Sequence, residues 1–395
     1  MKRAGLLTYA WDFADEGLDE LVARICGLGI TRILVTSIYH AGYFLYPHNP
    51  RRKTHLLEDG VAYFHPSDEF YTDSPIKPVV AAMASQQDWF GLISERAVSA
   101  GLSVSAWNVC LHNTRLGLAH PEATVHNVYG DSYPHAMSPA HPAARSYVRS
   151  VVADLAANYP IASINLEAPN YRGRAHGSDW VSGHHHERDS VYLRPLEKDL
   201  MDISFNEADV EQAAAAGMDV EALRDKIRAH MDTYFDEAPA LPRGLPETIE
   251  QFREAVPALA DYEAHFSRAE QSFLAELRAV MAAQGVKLEA GLDPSTDWVT
   301  SGGFGVGPSE MAETIEALRT QLHPHQELGF TVRMGFNNPD FGPAMTSEQE
   351  TCEVAAAVAE SGADEILFYN YGEAPRRSVE WIKPALKHCG FLRES

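Results

Sequence analysis

Three carboxylates in this chain stand where paired acids could do chemistry. Glu167 closes the run Ile161–Glu167, in which Ser163, Asn165 and Glu167 share one face while Ile164 and Leu166 are apolar. Asp293 closes Val286–Asp293, where Glu289, Gly291 and Asp293 alternate with Leu288, Ala290 and Leu292. Glu187 follows the consecutive histidines His184, His185 and His186. Two carboxyl groups flanking an acetal carbon, one a proton donor and the other a nucleophile or base, are what cleavage of a glycosidic bond requires. Glu167, Asp293 and Glu187 are therefore the candidate catalytic residues.

Around them lie residue types that bind sugars: aromatic faces for the C–H surfaces, amides, histidines and arginines for the hydroxyls. The candidates are Trp11, Tyr39, His40, Trp107, Asn108, His112, Asn113, Arg115, Arg333, Asn337, Tyr369 and Asn370, with His184, His185 and His186. Any one of them is ordinary packing, but they recur at successive strand ends. Consecutive histidines diverge from one another, so His184–His186 read better as sugar contacts or proton carriers than as a zinc site. An inward-facing Arg333 needs a carboxylate partner, and the deeper Glu289 is expected to supply it.

The elements that must hold these residues alternate strand and helix from end to end. Seven strand-like runs are clear: Gly5–Tyr9, Arg32–Tyr39, Leu102–Val109, Ile161–Glu167, Val286–Asp293, Leu328–Gly335 and Glu365–Tyr371. An eighth, Gly303–Gly307, is weaker. Helical faces recur between them, as in Leu18–Leu28, where Leu18, Leu21, Val22, Ile25 and Leu28 fall at spacings of 3 and 4. Glycines at 29, 101, 285 and 362 follow helical segments, as left-handed caps do. Eight such units predict an α/β fold, a TIM (β/α)8 barrel forming a single domain over 1–395. The first strand runs into Tyr9-Ala10-Trp11-Asp12 without a G-x-G-x-x-G loop, which disfavours the rival open, doubly wound sheet. Long connections at 40–84 and 168–265 follow strands two and four, so both should emerge on the catalytic face. The second, with a helix expected near 206–236, is read as an inserted helical subdomain or lid.

Composition narrows the partners. A formal charge of −23 disfavours nucleic acid and polyanionic substrates. Apolar runs are of strand length, short of the roughly 20 residues a membrane helix needs. Cys26, Cys110, Cys352 and Cys389 lie far apart, which fits a reducing compartment. The opening Met1-Lys2-Arg3 runs directly into a strand rather than a secretory leader. These readings predict a cytoplasmic protein taking a small carbohydrate, with no cofactor and no metal, and with self-association left open.

Several stretches resemble a family of uncharacterised barrels described as hypothetical glycosyl hydrolases. They are Tyr39-His40-Ala41-Gly42 with Pro47-His48-Asn49-Pro50, His112–Gly117, Asn127–Asp131, Leu166-Glu167-Ala168, His184–Glu187 and Phe368–Gly372. The resemblance implies a TIM barrel and a carbohydrate activity, without a substrate or assigned roles. Where that family carries a Cys-rich step before the inserted helix, this chain reads Ile203-Ser204-Phe205-Asn206-Glu207. An intracellular glycoside hydrolase is the leading expectation. The alternatives are a metal-dependent sugar isomerase, epimerase or lyase, with Glu167, Glu289, Asp293 and a histidine on the ion, and a non-catalytic sugar-binding barrel.

Overall fold

The computed structural model describes residues 1–174, 191–302, 307–335 and 344–392. Eight parallel strands form the core: β1 (Arg3–Thr8), β2 (Arg32–Tyr39), β3 (Ser103–Val109), β4 (Ser163–Glu167), β5 (Lys287–Ala290), β6 (Trp298–Gly302), β7 (Glu327–Arg333) and β8 (Glu365–Tyr369). Each pairs with the next, and β1 pairs with both β2 and β8, so the sheet closes into the expected TIM barrel. Closure removes the unpaired edges that an open sheet would leave. In β2 all eight residues are buried, as fits a strand with helices on one side and the barrel lumen on the other.

Helix Leu18–Leu28 buries Leu21, Val22, Ile25 and Leu28, and Gly29 ends it with φ 87°. Helices Pro142–Asn158, Pro308–Arg319 and Glu348–Glu360 cover their strands where the apolar periodicity places them. The sixth strand is a correction. It is Trp298–Gly302, not Gly303–Gly307, and residues 303–306 lie outside the described residues. Strand β5 is also shorter than expected, ending at Ala290. The physical reason is the link 291–297, which passes from β5 to β6 without a helix. Asp297 takes over that link: its N–H donates to Leu288 O at 2.9 Å and its Oδ2 accepts Leu288 N at 3.0 Å. The single helix expected near 206–236 is two, Glu207–Ala215 and Val220–Glu237, separated at Gly217 with φ 90°.

The lower lumen holds a charged cluster. Arg32, fully buried, donates from Nε to Glu365 Oε1 at 2.7 Å and from Nη2 to Glu365 Oε2 at 2.6 Å. Its Nη1 reaches Glu289 Oε2 at 2.7 Å and Ser105 Oγ at 2.6 Å. Gly5 and Gly329 leave the space that Leu367 and Glu365 fill. Glu289 is thus inward and deep as expected, but its partner is Arg32 and not Arg333. Strand register explains the difference. Gly329 stands opposite Glu365, so Arg333 lies four residues further along β7, roughly 13 Å at the strand rise of about 3.3 Å per residue.

Candidate active site

The carboxyl ends of the strands bring one set of side chains together. Tyr9 follows β1, Tyr39 ends β2 with His40 next, Trp107 is on β3, Glu167 ends β4, Arg333 ends β7, and Tyr369 and Asn370 close β8. Tyr9 lies stacked between Trp11 (ring centroids 4.4 Å apart) and Trp107 (5.5 Å), with Tyr39 edge-on at 5.3 Å. This aromatic block is fully or nearly buried, and two of its members, Trp107 and Tyr9, turn their polar atoms to carboxylates. Trp107 Nε1 donates to Glu167 Oε2 at 2.7 Å. Tyr9 Oη donates to Glu373 Oε1 at 2.6 Å and accepts from Asn370 Nδ2 at 2.9 Å. Asn370 Nδ2 also donates to Glu373 Oε1 at 2.9 Å, while Asn370 Oδ1 accepts from Glu373 N.

His40 stacks on Tyr39 and turns Nε2 to within 3.9 Å of Glu167 Oε1. Its Nδ1 lies 2.6 Å from Ala41 O, and since a carbonyl only accepts, Nδ1 carries the proton. The Glu167 side chain is 30% exposed and that of His40 16%, so both open to the mouth. Burial pushes the Glu373 carboxyl above the ordinary value; the donors Tyr9 and Asn370, with Arg333 and His40 nearby, oppose that rise. Burial likewise raises the phenols of Tyr9, Tyr39 and Tyr369, keeping them protonated. Trp107, the donor to Glu167, stacks on Tyr9, the donor to Glu373, so one aromatic block contacts both carboxylates.

Glu373 and Tyr9 were not among the candidates from sequence. Glu373 lies beyond the last strand, where period-two alternation has stopped. The signal that was present is the spacing Asn370-x-x-Glu373, a side-chain-capped turn. Asp293 goes elsewhere: it sits in the link 291–297, its Oδ1 accepting Ser295 N at 2.7 Å and its carbonyl accepting Gln326 Nε2 at 2.7 Å. Glu187, His184, His185, His186 and Asn337 lie outside the described residues.

Several sugar-binding candidates are engaged in structure. Trp11 is 1% exposed and backs Tyr9 instead of offering a face. Asn108 accepts from Ser37 Oγ at 3.1 Å; Asn113 caps helix Thr114–Ala119 through Leu116 N and donates to Gly60 O. His112 Nδ1 lies 2.9 Å from His135 O, and Arg115 binds Asp59 on the surface. The residues that the metal-dependent alternative needs lie apart, with Glu289 held by Arg32 and Asp293 by its own link. Among the described residues no group of three His, Cys, Asp or Glu side chains is arranged to hold a metal ion, and no helix is long and apolar enough to cross a membrane.

Two solved glycosidase structures share this fold. One is an α-L-fucosidase isoenzyme 2 from Paenibacillus thiaminolyticus, 14% identical, with a TM-score of 0.56 over 99% of this chain and 49% of that one. The other is a β-galactosidase from the psychrophilic Marinomonas ef1, also 14% identical with a TM-score of 0.56, over 98% of this chain and 59% of that one. The chain thus spans about half to three-fifths of the length of these relatives. At this identity the likeness is one of fold. No protein-family model matches the chain, and no curated protein matches it by sequence.

Proposed function

We propose that the chain is a glycoside hydrolase of the cell interior that acts on a small, uncharged glycoside through Glu167 and Glu373. One arrangement carries this reading: at the exits of β4 and β8, on opposite sides of the barrel, Glu167 accepts from the Trp107 indole and Glu373 from the Tyr9 hydroxyl, and those two rings are stacked on each other. Barrel enzymes build their chemistry at this end of the strands, and acetal cleavage needs two acids across the scissile bond. The two solved glycosidases add support at the level of architecture. The connection 168–265 is proposed as a helical lid over the same face. A net charge of −23 favours a neutral substrate.

The test is turnover of a panel of nitrophenyl glycosides that includes fucosides and galactosides, by wild type and by Glu167→Gln. The amide keeps the shape of the side chain and removes its acid–base function. Loss of about 10²–10⁴-fold in turnover is expected, with an unchanged melting temperature. A wild-type protein that cleaves no member of the panel, or a Glu167→Gln variant within a few-fold of it, would overturn the assignment.

A further inference from the structure

Both hydrogen bonds that reach the Glu373 carboxyl, from Tyr9 Oη and Asn370 Nδ2, end on the same oxygen, Oε1. Among the described residues, Oε2 receives none. A neutral carboxylic acid has this asymmetry, one carbonyl oxygen that only accepts and one hydroxyl that donates. The donors are themselves fixed: Tyr9 is clamped between Trp11 and Trp107, and Asn370 is bound through Oδ1 to Glu373 N. Oε2 is therefore the oxygen left for substrate. Glu167 is placed differently. It takes a donor on Oε2 from Trp107, turns Oε1 toward His40, and keeps 30% of its side chain exposed to water.

We propose that Glu373 gives the proton to the departing glycosidic oxygen and that Glu167 is the carboxylate at the anomeric carbon, with Tyr9 as the residue that positions Glu373. This rests on the glycosidase reading above. As the bond between the anomeric carbon and the leaving oxygen breaks, its electron pair stays on that oxygen, which takes the proton from Glu373 Oε2. The anomeric carbon gains an oxygen either from Glu167 directly or from a water that passes its proton to Glu167. In the direct mode water then cleaves the glycosyl ester and returns a proton to Glu373; the anomer released distinguishes the two modes. The rise that burial imposes on the Glu373 carboxyl acts in the same direction, toward the acid form.

Leaving-group dependence tests the assignment. A dinitrophenolate leaves without a proton, whereas the alkoxide of a methyl glycoside needs one. Measured as kcat/KM, which reports the bond-breaking step alone, Glu373→Gln should keep activity on dinitrophenyl glycosides within about ten-fold of wild type and lose about 10²–10⁴-fold on methyl glycosides. Glu167→Gln should lose activity on both. A Glu373→Gln variant equally impaired on both substrates, or on neither, overturns the assignment while leaving the glycosidase reading intact; a wild type inactive on every glycoside sinks that reading instead.

Tyr9→Phe gives a second measurement should the Gln variant fold poorly. It removes one of the two donors that favour the Glu373 carboxylate, so the alkaline limb of kcat/KM should move to higher pH. The other titrating or charged groups facing Glu373 are Tyr39, His40, Arg333 and Tyr369, with Asp12 and Tyr46 behind Tyr9, and all are retained in this variant. An alkaline limb that stays in place in Tyr9→Phe also overturns the proposal.

Discussion

Asp12 sits directly behind the site, 2% exposed, and its Oδ2 accepts the backbone N–H of Tyr9 at 2.9 Å. Burial holds its carboxyl well above the usual range, with Glu16, Glu373 and Asp15 adding to the rise against the Tyr9 bond. A carboxyl raised in the folded state stabilises the fold below its ordinary value of about 3.9, and that contribution is lost as pH rises through the folded-state value. Asp12→Asn keeps an oxygen for Tyr9 N–H and has no charge to bury. Its melting temperature relative to wild type should therefore climb from pH 5 to pH 8; parallel profiles would show that Asp12 does not carry this dependence. At this scale the sequence announced Glu167, because Ser163, Asn165 and Glu167 alternate along a strand whose exit is a known place for chemistry. It did not announce Glu373 or the Arg32–Glu289 pair. The first depends on a turn after β8, and the second on which residues of strands far apart in sequence share a layer.

Among the elements, β1 shows how the lumen is filled. Gly5 faces Glu365 and Leu367, and a Cβ built there would lie 2.8 Å from Glu365 Oε1 and against Leu367 Cδ2. Those side chains cannot withdraw without disturbing the bonds from Arg32 to Glu365. Gly5→Ala should cost about 1–3 kcal/mol in urea unfolding, as overpacking of a close-fitting core does. Gly27, in the exposed face of helix Leu18–Leu28, has nothing within 4 Å of such a Cβ, and Ala there should add about 0.5–1 kcal/mol by helix propensity. Equal effects at the two glycines would mean that the lumen layer yields more readily than its hydrogen bonds imply. Seven of the strands were readable from composition and alternation. The sixth was misplaced because the helix expected between β5 and β6 does not exist, so Trp298–Gly302 follows the previous strand after only the link 291–297 and merges with it in the pattern.

At the scale of the whole molecule, the described residues form two large apolar clusters. One belongs to the barrel, and the other gathers Leu196, Leu200, Phe205, Leu223, Ile227, Met231, Phe252 and Leu259 from the helices after β4. Asp209, fully buried in helix Glu207–Ala215, joins the two regions. Its carboxylate accepts from Ser204 Oγ at 2.6 Å, from Ser138 Oγ at 3.3 Å and from Tyr171 Oη. Ser204 and Tyr171 belong to the 168–265 connection, whereas Ser138 precedes helix Pro142–Asn158 and β4, so the Ser138 contact is the one that leads back to the barrel. Asp209→Ala removes the acceptor of three hydroxyls, of which Ser138 and Ser204 are buried, and an unmet buried donor costs about 1–3 kcal/mol. If the inserted helices depend on these bonds for their attachment, amide exchange in the helices Pro195–Asp202, Glu207–Ala215 and Val220–Glu237 should accelerate in the variant. Strands β1–β8, whose cluster and Arg32 network do not involve Asp209, should keep their protection. Loss of protection everywhere at once would show instead that the helices and the barrel open as one unit, and that a lid moving separately from the barrel is not available to this chain.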